Sequence, residues 1–108
     1  MMEINITKLN KRAYKDSFVT WMEEKYPNIK RPDIMGSNIM YSINRDCGFS
    51  INDLINNRIT LDTYRDKYEA YFETIRRKSP KGHANVHKWN AQYFIEFIND
   101  VYLNKHQV

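Results

Sequence analysis

The residues able to do chemistry in this chain are few, and most of them stand alone. Cys47 is the single cysteine. A thiolate nucleophile needs a base within reach, and no residue near Cys47 in sequence supplies one, so it reads as a small apolar side chain beside Gly48. One cysteine also excludes an intramolecular disulfide and a multi-thiolate zinc site. His83 and His87 stand at i, i+4, which puts two imidazoles on one helix face. A metal centre needs a third and usually a fourth ligand, and nothing in the sequence identifies them. The carboxylates are scattered, with no pair spaced for acid–base work, and suit a solvated helix surface. Gly36, Gly48 and Gly82 are isolated, so no glycine-rich phosphate loop is formed. The expectation is a protein that is not an enzyme and takes no metal, cofactor or small-molecule substrate.

The basic residues are better organised. Between Glu73 and Glu96 there is no acidic residue, yet Arg76, Arg77, Lys78, Lys81 and Lys88 fall there, with His83 and His87 among them. The run crosses a helix end, the turn Ser79-Pro80-Lys81-Gly82 and the start of the next helix. A helix N-terminus offers free N–H groups and a positive dipole end, which suits a phosphate. Asn85 and His87 would then reach base edges or sugar from the first turn. The competing explanation is that Arg76, Arg77 and Lys78 merely complement the dipole at a helix C-terminus. Smaller clusters are Lys8, Lys11, Arg12 and Lys15, and Lys30 with Arg31.

Composition sets the frame for these residues. The 108 residues suit one compact domain, 1–108. With 42% hydrophobic and 28% charged residues, the chain is too apolar for disorder. No apolar run is long enough to span a membrane, and the opening MMEINITKLNKRAYK lacks the apolar stretch of a signal peptide, so a cytoplasmic protein is expected. Seventeen Lys and Arg against 13 Asp and Glu give a net charge of +4, a bias toward polyanionic partners.

The periodicity is helical nearly throughout. After Thr60, the residues Leu61, Tyr64, Tyr68, Tyr71, Phe72 and Ile75 recur at three- and four-residue steps. That helix has Asp62 in its first turn and Arg76, Arg77 and Lys78 in its last, and Ser79-Pro80 stops it. A helix over 83–103 turns Val86, Trp89, Tyr93, Phe94, Phe97, Ile98 and Val101 inward. An N-terminal helix over 6–26 uses Leu9, Ala13, Tyr14, Phe18, Trp21 and Met22, and Pro27 ends it. The stretch 33–46 carries Ile34, Met35, Ile39, Met40 and Ile43. Ser50-x-x-Asp53 resembles a capping box opening a short helix through Asn56. No segment alternates with period two. The expected fold is all-α, a compact bundle of four to five helices.

Taken in order, these elements resemble a known family. The first helix holds Phe18-x-x-Trp21-Met22, and the next region holds Ser37-x-x-x-Tyr41 followed by Ile43. Then come Tyr71-Phe72, a basic Ser-Pro turn, and Ala91-x-x-Phe94-x-x-Phe97-Ile98. The pattern, over residues 14–103, is similar to the core-binding (SAM-like N-terminal) domain of tyrosine recombinases and phage integrases. The resemblance implies a bundle that clamps one face of duplex DNA, through the segment around the second helix and the loop into the last. The matching positions are Lys30, Arg31, Ser37, Asn38, Tyr41 and Arg45, then Arg77, Lys78, Lys81, His83, Asn85 and Lys88, with Arg76 joining from the basic run. Lysines and arginines would neutralise phosphates, while Ser37, Asn38 and Asn85 would read base edges. Phe18, Trp21, Phe94 and Phe97 would be core. The resemblance does not extend to a recombinase's catalytic domain. Gly36 also stands where the family favours a stronger helix former, and Glu23, Glu24, Asp62, Asp66, Glu69 and Glu73 leave one flank negative.

Two functions therefore compete. One is a non-enzymatic module for double-stranded DNA, which predicts Arg31, Arg45, Arg77 and Lys88 on one concave face. The other is a small phage or mobile-element protein that docks on an acidic protein surface and modulates that partner, for example a nucleic-acid-binding enzyme. It predicts an exposed apolar patch, using Trp89 or surface tyrosines, beside the charge.

Overall fold

The chain folds as an all-α protein. The computed structural model describes residues 3–103, and it runs α1 (Lys11–Lys25), α2 (Pro32–Ile39), α3 (Tyr41–Asn44), α4 (Ile51–Ile55), α5 (Leu61–Thr74) and α6 (Pro80–Ile98), closed by a π turn (Asn99–Leu103). Six helices replace the expected four to five, because the stretch 33–46 breaks at Met40 into α2 and α3.

The last α-helix forms the axis. It packs against α1, α2, α4 and α5, and its buried line is Ala84, His87, Ala91, Phe94 and Ile98, with Asn90 and Phe97 beside it. Those steps of three and four are a helix seam, and the small Ala84 and Ala91 let neighbouring backbones approach. On one side Phe18 of α1 packs between Phe94 and Phe97, with ring centroids 5.4 and 5.6 Å away. Trp21 adds an indole N–H donated to Asp100 at 2.8 Å. On the other side Tyr64, Tyr68 and Phe72 of α5 are fully or almost fully buried. His87 lies flat on Tyr68, ring centroids 4.2 Å apart.

Several expectations of facing are corrected. Val86 and Trp89 do not turn inward but stand 46% and 47% exposed. The seam is carried instead by alanines, a histidine and an asparagine, whose low hydrophobicity hid it. Ile34 and Ile75 are likewise half exposed, and Leu9 is 98% exposed. Ala13 is exposed too. The basic trio is not in the last turn of α5: that helix ends at Thr74, and Arg76 takes a left-handed conformation, φ 55°. The Arg77 amide donates back to the Phe72 carbonyl at 2.9 Å, which closes the helix end. The last helix also begins at Pro80, three residues before the expected start, with proline in the first turn, where its missing N–H costs nothing.

The N-terminal helix starts at Lys11 because the residues before it are committed elsewhere. Ile4 and Ile6 are buried in extended chain. Asn52 accepts from the Ile6 amide at 2.7 Å and donates to the Ile6 carbonyl at 2.8 Å. Asn56 does the same to Ile4 at 3.2 and 2.8 Å. Two side-chain amides one helical turn apart thus pair with alternate residues of an extended segment, as a neighbouring strand would. The Ser50–Asp53 capping box starts α4 and so fixes both asparagines: the Asp53 carboxylate accepts from the Ser50 amide, and the Ser50 hydroxyl from the Asn52 amide.

Two predictions follow from this packing. Asn52→Ala removes two hydrogen bonds and leaves the Ile6 amide and carbonyl unpaired, a loss of about 1–3 kcal/mol. The expected result is a lower urea midpoint and faster hydrogen exchange at Ile4 and Ile6. Asn52→Asp keeps the acceptor but sets a carboxylate against the Ile6 carbonyl, and is expected to destabilise as well. Exchange at those amides unchanged in both variants would refute the tether. The second prediction concerns His87. Burial, then the nearby Arg77 charge, lowers its pKa from 6.5 to about 4, so the native state holds it neutral. Its contribution is therefore fully present above pH 6.5 and is lost as pH falls through about 4, with a total of about 3 kcal/mol. Urea unfolding at stepped pH should show this slope in the wild type and a flatter one in His87→Gln.

Candidate nucleic-acid interface

Short local causes bring the basic residues into place. The break at Met40 starts α3 and the extended backbone at Arg45 ends it. Arg45 lies over the ring of Tyr41, its guanidinium carbon 5.0 Å from the centroid. Tyr41 meets Phe72 edge-on at 5.9 Å. Arg77 lies over Phe72 at 5.3 Å, and His83 touches another edge of that ring at 6.0 Å. Two arginines far apart in sequence therefore rest on one pair of joined aromatic rings. A guanidinium on a ring face keeps its hydrogen-bonding edge free for an oxyanion.

The turn between α5 and α6 supplies the remaining charge. Arg76, Arg77, Lys78, Ser79 and Lys81 are exposed, and Ser79 precedes α6 in a left-handed conformation, φ 52°, without a side-chain cap on the helix. Among the described residues, Arg31, Arg76 and Ser79, three of the four non-glycine residues with positive φ, fall in the basic segments; the fourth is Asn57. Strained backbone of this kind persists where the surroundings over-determine it, and it clusters at functional sites.

Ion pairing occupies some of the cations and not these. Among the described residues, carboxylates engage Lys25, Arg31, Arg58, Arg65 and Lys88. Arg45, Arg76, Arg77, Lys78 and Lys81 have no such partner there. Arg31 is held by Asp33 through two contacts, 3.2 and 3.0 Å, and it keeps the Asp33 carboxyl below its usual range. Lys88 reaches Asp62 at 2.9 Å, and Asn85 accepts from Arg65 at 3.4 Å, so both are drawn onto the flank of α5. Of the four residues expected on one concave face, Arg45 and Arg77 thus share the aromatic platform, while Arg31 and Lys88 are each tied to a carboxylate. Lys30 and Ser37 are exposed, and Asn38 is half-buried.

His87 does not reach outward as the sequence suggested. It is buried against Tyr68, Phe72 and Tyr41 near the Asn38 backbone, and its Nδ1 has no hydrogen-bond partner. It and His83 therefore do not present a pair of imidazoles to solvent. Among the described residues no group of three His, Cys, Asp or Glu is arranged to hold a metal ion. Cys47 is half-buried beside Tyr71, and burial raises its thiol pKa. No described helix is long and apolar enough to cross a membrane.

Sequence reasoning missed Phe72 as a platform. It assigned that ring to the core stripe of α5, which is also true, since Tyr68 stacks on it while Arg77 lies over the ring and His83 meets it edge-on. The signal was present in Tyr71-Phe72, a doublet that places aromatics on both sides of the seam. In comparisons with known proteins, the chain matches no family model, no curated protein and no solved structure.

Proposed function

We propose that this protein is a non-enzymatic, cytoplasmic module that binds double-stranded DNA in the manner of an integrase core-binding domain. The observation that carries the reading is the convergence of Arg45 and Arg77 on the Tyr41–Phe72 platform, next to the carboxylate-free turn through Lys81. The platform and turn grip phosphates, and the exposed Ser37 and half-buried Asn38 on α2 lie on the segment that the resemblance assigns to base contact. Affinity is then largely electrostatic, because each phosphate neutralised releases counterions.

Fluorescence anisotropy with labelled duplex DNA across a salt series tests this. The wild type should bind with affinity that falls log-linearly with salt. Arg77→Glu with Lys81→Glu should reduce the slope by about 2 and weaken binding strongly. No binding at low salt would overturn the reading.

A second reading has its own observation. Val86 and Trp89 stand half exposed on α6, and Trp89 meets Tyr93 edge-on at 5.3 Å. A phage or mobile-element protein that modulates an acidic protein partner would use such a patch beside the charge. Trp89→Ala separates the two, since it leaves DNA affinity unchanged if the first reading holds.

A further inference from the structure

We infer that the groove between α1 and the α2–α3 corner is a second phosphate-gripping wall, so that one duplex is held from both sides of α3. This rests on the DNA-binding reading and extends it to α1, which lies outside the positions that the integrase resemblance implies.

The groove has a volume of ≈ 350 Å³ and is lined by Lys11, Arg12, Lys15, Ser37 and Asn44, with Asp16 as its one carboxylate. Three cations face one acid, and among the described residues none of the three has a carboxylate within ion-pair distance. The contrast is with Lys25, Arg58, Arg65 and Lys88, which the fold pairs. Like charges at i, i+4, here Lys11 and Lys15, repel by a few tenths of a kcal/mol on a helix surface. A bound polyanion would remove that repulsion.

Gly36 ties the groove to a sequence feature that otherwise has no reason. A glycine inside a helix costs about 1 kcal/mol relative to alanine, yet Gly36 sits buried within α2. A Cβ there would lie 2.8 Å from Cγ of Lys15. The missing side chain is what lets the Lys15 stem lie across α2 with its ammonium at the groove.

The two basic regions meet at α3. Lys11 donates to the side-chain oxygen of Asn44, and the next residue, Arg45, lies on Tyr41 of the aromatic platform. The cationic groove and the Arg45–Arg77 platform thus meet at consecutive residues, Asn44 and Arg45. Duplex DNA presents two lines of phosphate, one along each strand. A single strand offers only one.

The test compares duplex and single-stranded DNA of the same mixed sequence by anisotropy across salt. The triple variant Lys11→Gln, Arg12→Gln, Lys15→Gln should reduce the log–log slope for duplex by about 2 to 3. Lys15→Gln alone should reduce it by about 1. Lys67→Gln, an exposed cation on α5, should leave it unchanged, and thermal unfolding should show all three variants folded. A triple variant that keeps the wild-type slope, while Arg77→Glu with Lys81→Glu loses binding, would overturn this inference and leave the DNA reading standing. Lys67→Gln matching Lys15→Gln would also overturn it, since net charge alone would then explain the effect. Equal slopes for duplex and single strand would refute the two-walled grip. A wild type that binds neither would remove both readings together.

Discussion

The contact on which the rest depends is the stacking of His87 on Tyr68. It joins α6 to α5, and its other neighbours, Tyr41 and the Asn38 backbone, bring in α2 and α3. Phe72, packed at 5.4 Å from the same imidazole, is the ring on which Arg77 rests. The surface that gathers cations is thus the outer rim of the cluster that joins four helices. An imidazolium there would sit in a desolvated site near Arg77, which is why the ring stays neutral. Fold and candidate site share one electrostatic condition.

The same economy shows in how charge is distributed. Exposed ion pairs add little to stability, about 0–1 kcal/mol each, so pairing is not what holds the bundle together. Its effect is selective. Along the α5–α6 flank and at the π turn, cations meet carboxylates, as Lys88 meets Asp62 and Lys25 meets Asp100. Around α3 they do not. Lys11, Arg12, Lys15, Arg45, Arg76, Arg77, Lys78 and Lys81 supply eight of the 17 basic residues, and the other nine stand against 13 acidic ones, so the positive charge is concentrated in these segments.

How much of this was legible in the sequence depends on which residues carried it. Helices announced by large apolar side chains were readable: Phe18, Trp21 and Met22 on α1, Tyr64, Tyr68 and Phe72 on α5, and Phe94, Phe97 and Ile98 on α6 are all buried where the spacing put them. The first half of α6 was misread for the same reason. Hydrophobic size pointed to Val86 and Trp89, whereas the seam uses Ala84, His87 and Ala91, chosen by fit against α5 and α2. The extended start was illegible, because Ile4 and Ile6 are held by Asn52 and Asn56, a long-range pairing that no local pattern encodes. For the site, the basic run located the connection between α5 and α6, although Pro80, Lys81 and Gly82 of the expected turn lie in the first turn of α6. It gave no means of knowing that Asp33 and Asp62 would occupy Arg31 and Lys88, or that Arg45 would join Arg77.

Gly36 shows why local propensity alone could not settle the surface. Read as a helix residue, it is a weakness in α2 and a departure from the integrase pattern. Seen against α1, it is the place where Lys15 crosses. The weakness of one helix thus sets the position of a charge on another. Arg76 follows the same logic: a left-handed arginine closes α5 where glycine would do so with less strain, and a charge is retained in the turn. In both places the chain gives up backbone or helix stability while a cation keeps its position on the surface around α3. At the first site a Cβ would press on the Lys15 stem, so glycine there serves the packing of α1 on α2, whereas at the second glycine would close the helix with less strain and arginine keeps a charge in the turn.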